Sequence, residues 1–128
     1  MHLQESGEMY LETILVLSKE KRVVRSVDVA EHMGFSKPSV SRAVSLLKQG
    51  EYLTMDKDGF LWLTEAGREV AEKIYERHQV LTALLKQVGV SDKVAEDDAC
   101  RIEHDISRET FDRLKEHFGP QITDMEKP

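Results

Sequence analysis

Between Ser26 and Leu63 the chain leaves little choice of fold. Ser26 is placed to cap a short helix whose apolar side is Val27, Ala30 and Met33. Gly34 is placed to end it, because a glycine just past a helix takes the left-handed conformation without a Cβ penalty. Ser36 then caps a second helix, with Pro38 in the first turn, where a missing N–H does no harm. Val40, Val44 and Leu47 recur at helical spacing as its inner side, which leaves Ser36, Lys37, Ser39, Ser41, Arg42 and Lys48 outside. Next come two short β-prone runs, Tyr52–Met55 and Phe60–Leu63, joined by Asp56-Lys57-Asp58-Gly59. Runs of that kind around a turn ending in Asp-Gly read as a hairpin. Helix, glycine turn, polar helix and hairpin in this order predict a winged helix-turn-helix, with its second helix in the major groove of DNA.

The flanking segments are helical. Tyr10, Ile14 and Leu17 mark one face of a helix over residues 4–18, with Met9 and Glu12 three apart on an adjacent face. Thr64 is placed to cap a long helix carrying Val70, Ile74, Leu81, Leu84, Leu85 and Val88 up to Gly89. Ser91 caps the next, Asp92 to Asp105. Ser107 caps a last one through Phe111, Leu114 and Phe118, which Gly119-Pro120 should stop. The expected fold class is therefore mainly α. Residues 1–63 form the winged helix-turn-helix domain, 64–118 a linker helix with a helical dimerisation and metal-binding domain, and 119–128 a flexible tail. Trp62 reads as the packing anchor of the wing, and His2, His32 and His117 as surface residues.

Chemistry concentrates in Ala99-Cys100-Arg101-Ile102-Glu103-His104. On a helix Cys100, Glu103 and His104 fall at i, i+3 and i+4, and Glu96 extends the stripe by one turn. Thiolate, carboxylate and imidazole on one face are ligand types for a divalent transition metal. Cys100 and His104 at that spacing could also pair as nucleophile and base, but no oxyanion-hole loop or substrate cleft accompanies them, so an enzyme is not expected. A regulator that answers to an organic ligand or to oxidation of Cys100 is the alternative to a metal sensor.

Composition sets the surroundings. A single cysteine in 128 residues cannot form an internal disulfide, the amino terminus is acidic and polar, unlike a signal peptide, and no apolar run is long enough to span a membrane. The expectation is a cytoplasmic protein with no membrane partner. Net charge is −6 overall, yet residues 19–58, which hold the helix-turn-helix and most of the wing, carry +2. The basic segment is thus the one that would face DNA, while the acidic excess stays away from it. Two short helices after a long one expose more apolar surface than they can bury alone. A homodimer joined across a two-fold axis would cover it and space two recognition helices for successive major grooves.

Together these residues resemble the diphtheria-toxin-repressor family of iron- and manganese-dependent repressors. The likeness rests on the winged helix-turn-helix, the long linker helix and Ala-Cys-Arg-Ile-Glu-His, joined by Glu8-Met9-Tyr10-Leu11-Glu12 and Arg77-His78. It covers residues 4–118 and implies a dimer that represses metal-uptake genes when metal binds between the first helix and the dimerisation helices. By position, Met9, Cys100, Glu103 and His104 match the regulatory site of the iron branch, and His78 a second-site ligand. Glu12 matches a ligand of the manganese branch. Glu96 stands where the iron branch has a histidine, and Thr82 where it has a glutamate. The chain also ends before the SH3-like third domain of the iron repressors. The metal set is thus Met9, Glu12, His78, Glu96, Cys100, Glu103 and His104. Its soft sulfur donors favour Fe²⁺ over Mn²⁺. The resemblance turns Ser36, Pro38 and Arg42 toward base edges. Lys37, Ser39 and Ser41 join them as candidate contacts to an operator duplex, and Arg42 replaces the glutamine usual in the iron branch.

Overall fold

The computed structural model describes residues 5–126, with side chains from Ser6 to Phe118. Six helices and one hairpin follow in order: α1 (Glu5–Glu20), α2 (Ser26–Met33), α3 (Lys37–Gln49), β1 (Leu53–Met55), β2 (Leu61–Leu63), α4 (Glu65–Gln87), α5 (Asp92–Asp105) and α6 (Arg108–Glu126). The chain forms two compact units, one up to Lys73 and one from Ile74, with the division inside α4.

The first unit is built on α1. Tyr10, Leu11, Ile14, Leu15 and Leu17 are all buried, which extends the expected stripe by the neighbouring leucines. α3 follows its predicted pattern, with Val40, Val44 and Leu47 inside and the Ser39 N–H donating to Ser36 Oγ at 3.3 Å. Gly34 takes the left-handed conformation, φ 71°, that ends α2. The start of α2 differs by one residue from the sequence reading, because Arg25 and not Ser26 is its N-cap. The reason is Asp28, whose carboxylate reaches back to accept from the Arg25 N–H at 2.8 Å and pairs with Lys21 Nζ at 2.9 Å. The buried side chains of α2 are accordingly Val29 and Ala30, and Val27 is exposed.

The hairpin is antiparallel with Leu53 opposite Leu63, Thr54 opposite Trp62 and Met55 opposite Leu61. Asp56 organises its turn: one carboxylate oxygen accepts from the Asp58 and Phe60 N–H groups, the other from the Trp62 indole N–H, each at 3.0 Å. Trp62 therefore serves the wing through its N–H. Its ring is 45% exposed, contrary to the packing role expected of it. Thr64 caps α4 as predicted, accepting from the Gly67 N–H at 3.1 Å and donating to the Glu51 carbonyl. Gly67 then sits so close to the strand that a Cβ there would lie 2.0 Å from the Tyr52 carbonyl oxygen.

The second unit holds the remainder of α4 with α5 and α6. Ile74, Leu81, Ala95, Ala99 and Phe111 are its buried apolar residues. α4 ends at Gln87, so Val88 lies outside the helix and is largely exposed. Ser107 caps α6 through the Thr110 N–H at 3.1 Å. Gly119-Pro120 does not end that helix, which runs on to Glu126. A proline removes one helical N–H and crowds the preceding turn, a penalty of about 3 kcal/mol that does not by itself terminate a helix already several turns long.

Candidate metal centre

In the second unit the structure joins residues 25 apart in sequence. Glu103, in the last turns of α5, is completely buried. Its Oε2 lies 2.8 Å from His78 Nδ1 on α4, and its Oε1 lies 3.4 Å from Nε2 of His104, whose side chain is only 1% exposed. A carboxylate removed from water costs several kcal/mol unless positive charge or hydrogen bonds compensate it. Here an imidazole nitrogen faces each of its oxygens. Imidazole nitrogens beside a dehydrated carboxylate are donor types that fit a divalent transition ion.

The remaining predicted ligands fall as follows. Cys100 is half-buried on the face of α5 that carries Glu103 and His104. Glu96, one turn further back, is exposed. Met9 and Glu12 are both half-buried on α1 in the first unit. Thr82, one turn beyond His78 on α4, is buried, and its hydroxyl has no hydrogen-bond partner among the described residues. His32 and His117 are exposed, as expected, and His2 lies outside the described residues.

Arg77 was legible in the sequence only as a family match, and the structure gives it a specific task. Its Nη1 donates to the Glu103 carbonyl at 3.1 Å and to the Ile106 carbonyl at 2.9 Å, while the guanidinium lies 5.4 Å from the Phe111 ring centre. The partners are main-chain carbonyls more than two dozen residues away, which no side-chain pattern announces.

The candidate DNA-reading residues are gathered on one element. Ser36 is the N-cap of α3, and Lys37, Pro38, Ser39, Ser41 and Arg42 are exposed on its first two turns. Short serines beside Arg42 and Lys37 leave the helix slim enough to enter a major groove, with cationic groups to meet phosphates and base edges.

Two family profiles divide the chain between them. Residues 2–61 match the profile described as "Iron dependent repressor, N-terminal DNA binding domain", and residues 64–126 match "Iron dependent repressor, metal binding and dimerisation domain". The chain belongs to the iron-dependent repressor family. That family consists of metal-dependent transcriptional regulators, not enzymes, and the resemblance stated from the sequence was to this family. Among its relatives is the HTH-type transcriptional regulator MntR of Geobacillus kaustophilus (strain HTA426), 36% identical over 109 residues, covering 85% of this chain and 77% of the relative. MntR of Bacillus pumilus (strain SAFR-032) is 35% identical and covers 85% of this chain and 76% of the relative. Of solved structures, the manganese regulator SloR matches with a TM-score of 0.78 at 26% identity, over 93% of this chain and 55% of that one. A manganese-dependent repressor solved with manganese has the same fold, with a TM-score of 0.81 at 24% identity over 88% of this chain and 52% of that one. The chain thus spans about half the length of those solved proteins. No helix among the described residues is long and apolar enough to cross a membrane.

Proposed function

We propose that this chain is a cytoplasmic, metal-activated repressor that binds an operator duplex as a homodimer and answers to Fe²⁺ in preference to Mn²⁺. The observation that carries the metal reading is the buried Glu103 carboxylate with an imidazole nitrogen facing each oxygen. His78, Cys100, Glu103 and His104 would hold the ion, with Met9 and Glu12 of α1 added on the family pattern and Glu96 as an outer carboxylate. A divalent cation bound there supplies the positive charge that a dehydrated carboxylate demands.

The chain's own residues do the rest. His78 holds the Glu103 carboxylate oriented on α5, and Arg77 fixes the end of that helix. Ser36, Lys37, Pro38, Ser39, Ser41 and Arg42 present α3 to the groove, with arginine at position 42 suited to guanine O6 and N7. Metal binding and DNA binding are coupled if the ion favours one arrangement of the first helix, an effect of about 1–3 kcal/mol in allosteric proteins generally. Met9 and Cys100 favour iron because thioether and thiolate are softer than the oxygen ligands that Mn²⁺ prefers. The names of the curated relatives point instead to manganese, so the ion is read out directly. Selecting binders from a randomised duplex pool, with chelator, Fe²⁺ or Mn²⁺ present, should enrich one palindromic sequence with Fe²⁺ and none with chelator. Enrichment of the same sequence under chelator would refute metal activation, and enrichment by Mn²⁺ alone would reverse the metal assignment.

A further inference from the structure

Three consecutive residues of α4 each hold a different part of the second unit. Glu76 pairs with Lys115 of α6, Arg77 bonds the end of α5 and lies against Phe111 of α6, and His78 meets the Glu103 carboxylate. Consecutive helical residues point about 100° apart, so these three span just over half the circumference of α4. Arg77 is the middle one. It grips the main chain of the residue whose carboxylate its neighbour His78 grips.

We infer that Arg77 is a positioning residue of the metal centre, a conclusion that rests on the metal reading above. The Glu103 carbonyl lies in the last turn of α5, where four carbonyls have no partner within the helix. One guanidinium nitrogen satisfies it together with the Ile106 carbonyl just beyond the helix end. The positive charge also sits at the negative end of the helix dipole. Phe111 is buried and gives the planar group a platform, so the guanidinium is restrained on its face as well as through its N–H groups. Glu103 is therefore fixed at two points: its backbone by Arg77 and its carboxylate by His78. Without the first, the last turn of α5 is free to fray and carry Glu103 and His104 with it. Ligands held to within a fraction of an ångström bind metal far better than ligands that must be ordered on binding.

The experiment compares the full-length wild type with R77M and R77Q, using Co²⁺ as the probe. Its readouts are the dissociation constant, the visible ligand-field spectrum and the thermal melt of the metal-free protein. R77M keeps apolar contact with Phe111 and loses both carbonyl bonds. It should bind Co²⁺ at least tenfold more weakly, with an altered spectrum, while remaining folded at the temperature of the titration. R77Q, whose amide reaches at most one of the two carbonyls, should fall between, weakened severalfold. Should R77M fail to fold, R77Q alone decides by the same criterion. A folded variant with the wild-type constant and spectrum overturns the inference, even if its metal-free melt is lowered. A wild type that takes up no Co²⁺ overturns the metal reading itself, and the role of Arg77 with it.

Discussion

The two units differ most in what they bury. The first encloses a nearly continuous aliphatic core, from Leu11 and Ile14 through Val29, Val40 and Val44 to Leu53 and Leu61. Both buried polar residues among the described ones, Thr82 and Glu103, belong to the second. The first unit is stabilised by burying apolar area, which needs no ligand. The second carries a carboxylate out of water, and its stability is tied to whatever compensates that charge. One unit is held by an apolar core, and the other also encloses a charged group.

The sharpest way to break this contrast is in the first unit. Gly67→Ala drives a Cβ onto the Tyr52 carbonyl, which cannot retreat without moving the strand. It should lower unfolding free energy by about 3 kcal/mol in a urea titration. Added metal should not restore it. Close behind comes Glu103→Gln, a neutral isostere. It should reduce metal affinity at least a hundredfold, roughly 2.7 kcal/mol, while metal-free stability is unchanged or raised. Calorimetric titration and a melt of the same sample read both halves. A metal-free E103Q protein that loses several kcal/mol would make the carboxylate a structural partner of His78 and erase the distinction between the units.

Where the sequence was legible and where it was not follows the same division. In the first unit the signals are local. Val40, Val44 and Leu47 are spaced for one helix face, Gly34 and Ser36 sit at the ends where their backbone demands them, and Asp-Gly marks the hairpin. All of these hold in the structure. The errors are also local, and come from side chains that reach back along the chain. Asp28 moves the cap of α2 to Arg25, and Asp56 recruits the Trp62 N–H and leaves its ring in water. In the second unit the helical stripe of Cys100, Glu103 and His104 was visible from spacing, whereas the resemblance matched His78 to a second site, and its contact with Glu103 emerged only in the structure. The grip of Arg77 on two carbonyls leaves no mark in the sequence, because every residue has a carbonyl.

Smaller effects sharpen the comparison further. Ser36→Ala removes the hydroxyl that accepts from the Ser39 N–H, and should cost about 1 kcal/mol in a melt with metal affinity untouched. The smallest effect is in the wing. The Trp62 indole N–H, helped by the Phe60 and Asp58 amides, holds the Asp56 carboxyl below its ordinary value of 3.8. A depressed carboxyl contributes its stabilisation above the ordinary value and loses it as pH falls through the folded one. The acid change in the emission of Trp62, the one tryptophan of the chain, should therefore have its midpoint below the ordinary carboxyl value of 3.8. Asp56→Asn should abolish that acid transition.

The central claim is that Cys100, Glu103, His104 and His78 hold a metal ion whose identity is set by soft ligands. The most direct measurement is an anaerobic titration of metal-free protein with Fe²⁺ and with Mn²⁺, for wild type and Cys100→Ala. The prediction is saturable binding of both ions, tighter for Fe²⁺, with the mutation weakening Fe²⁺ at least tenfold and Mn²⁺ much less. No saturable binding of either ion at micromolar protein, or identical Fe²⁺ affinity in the two proteins, would contradict it.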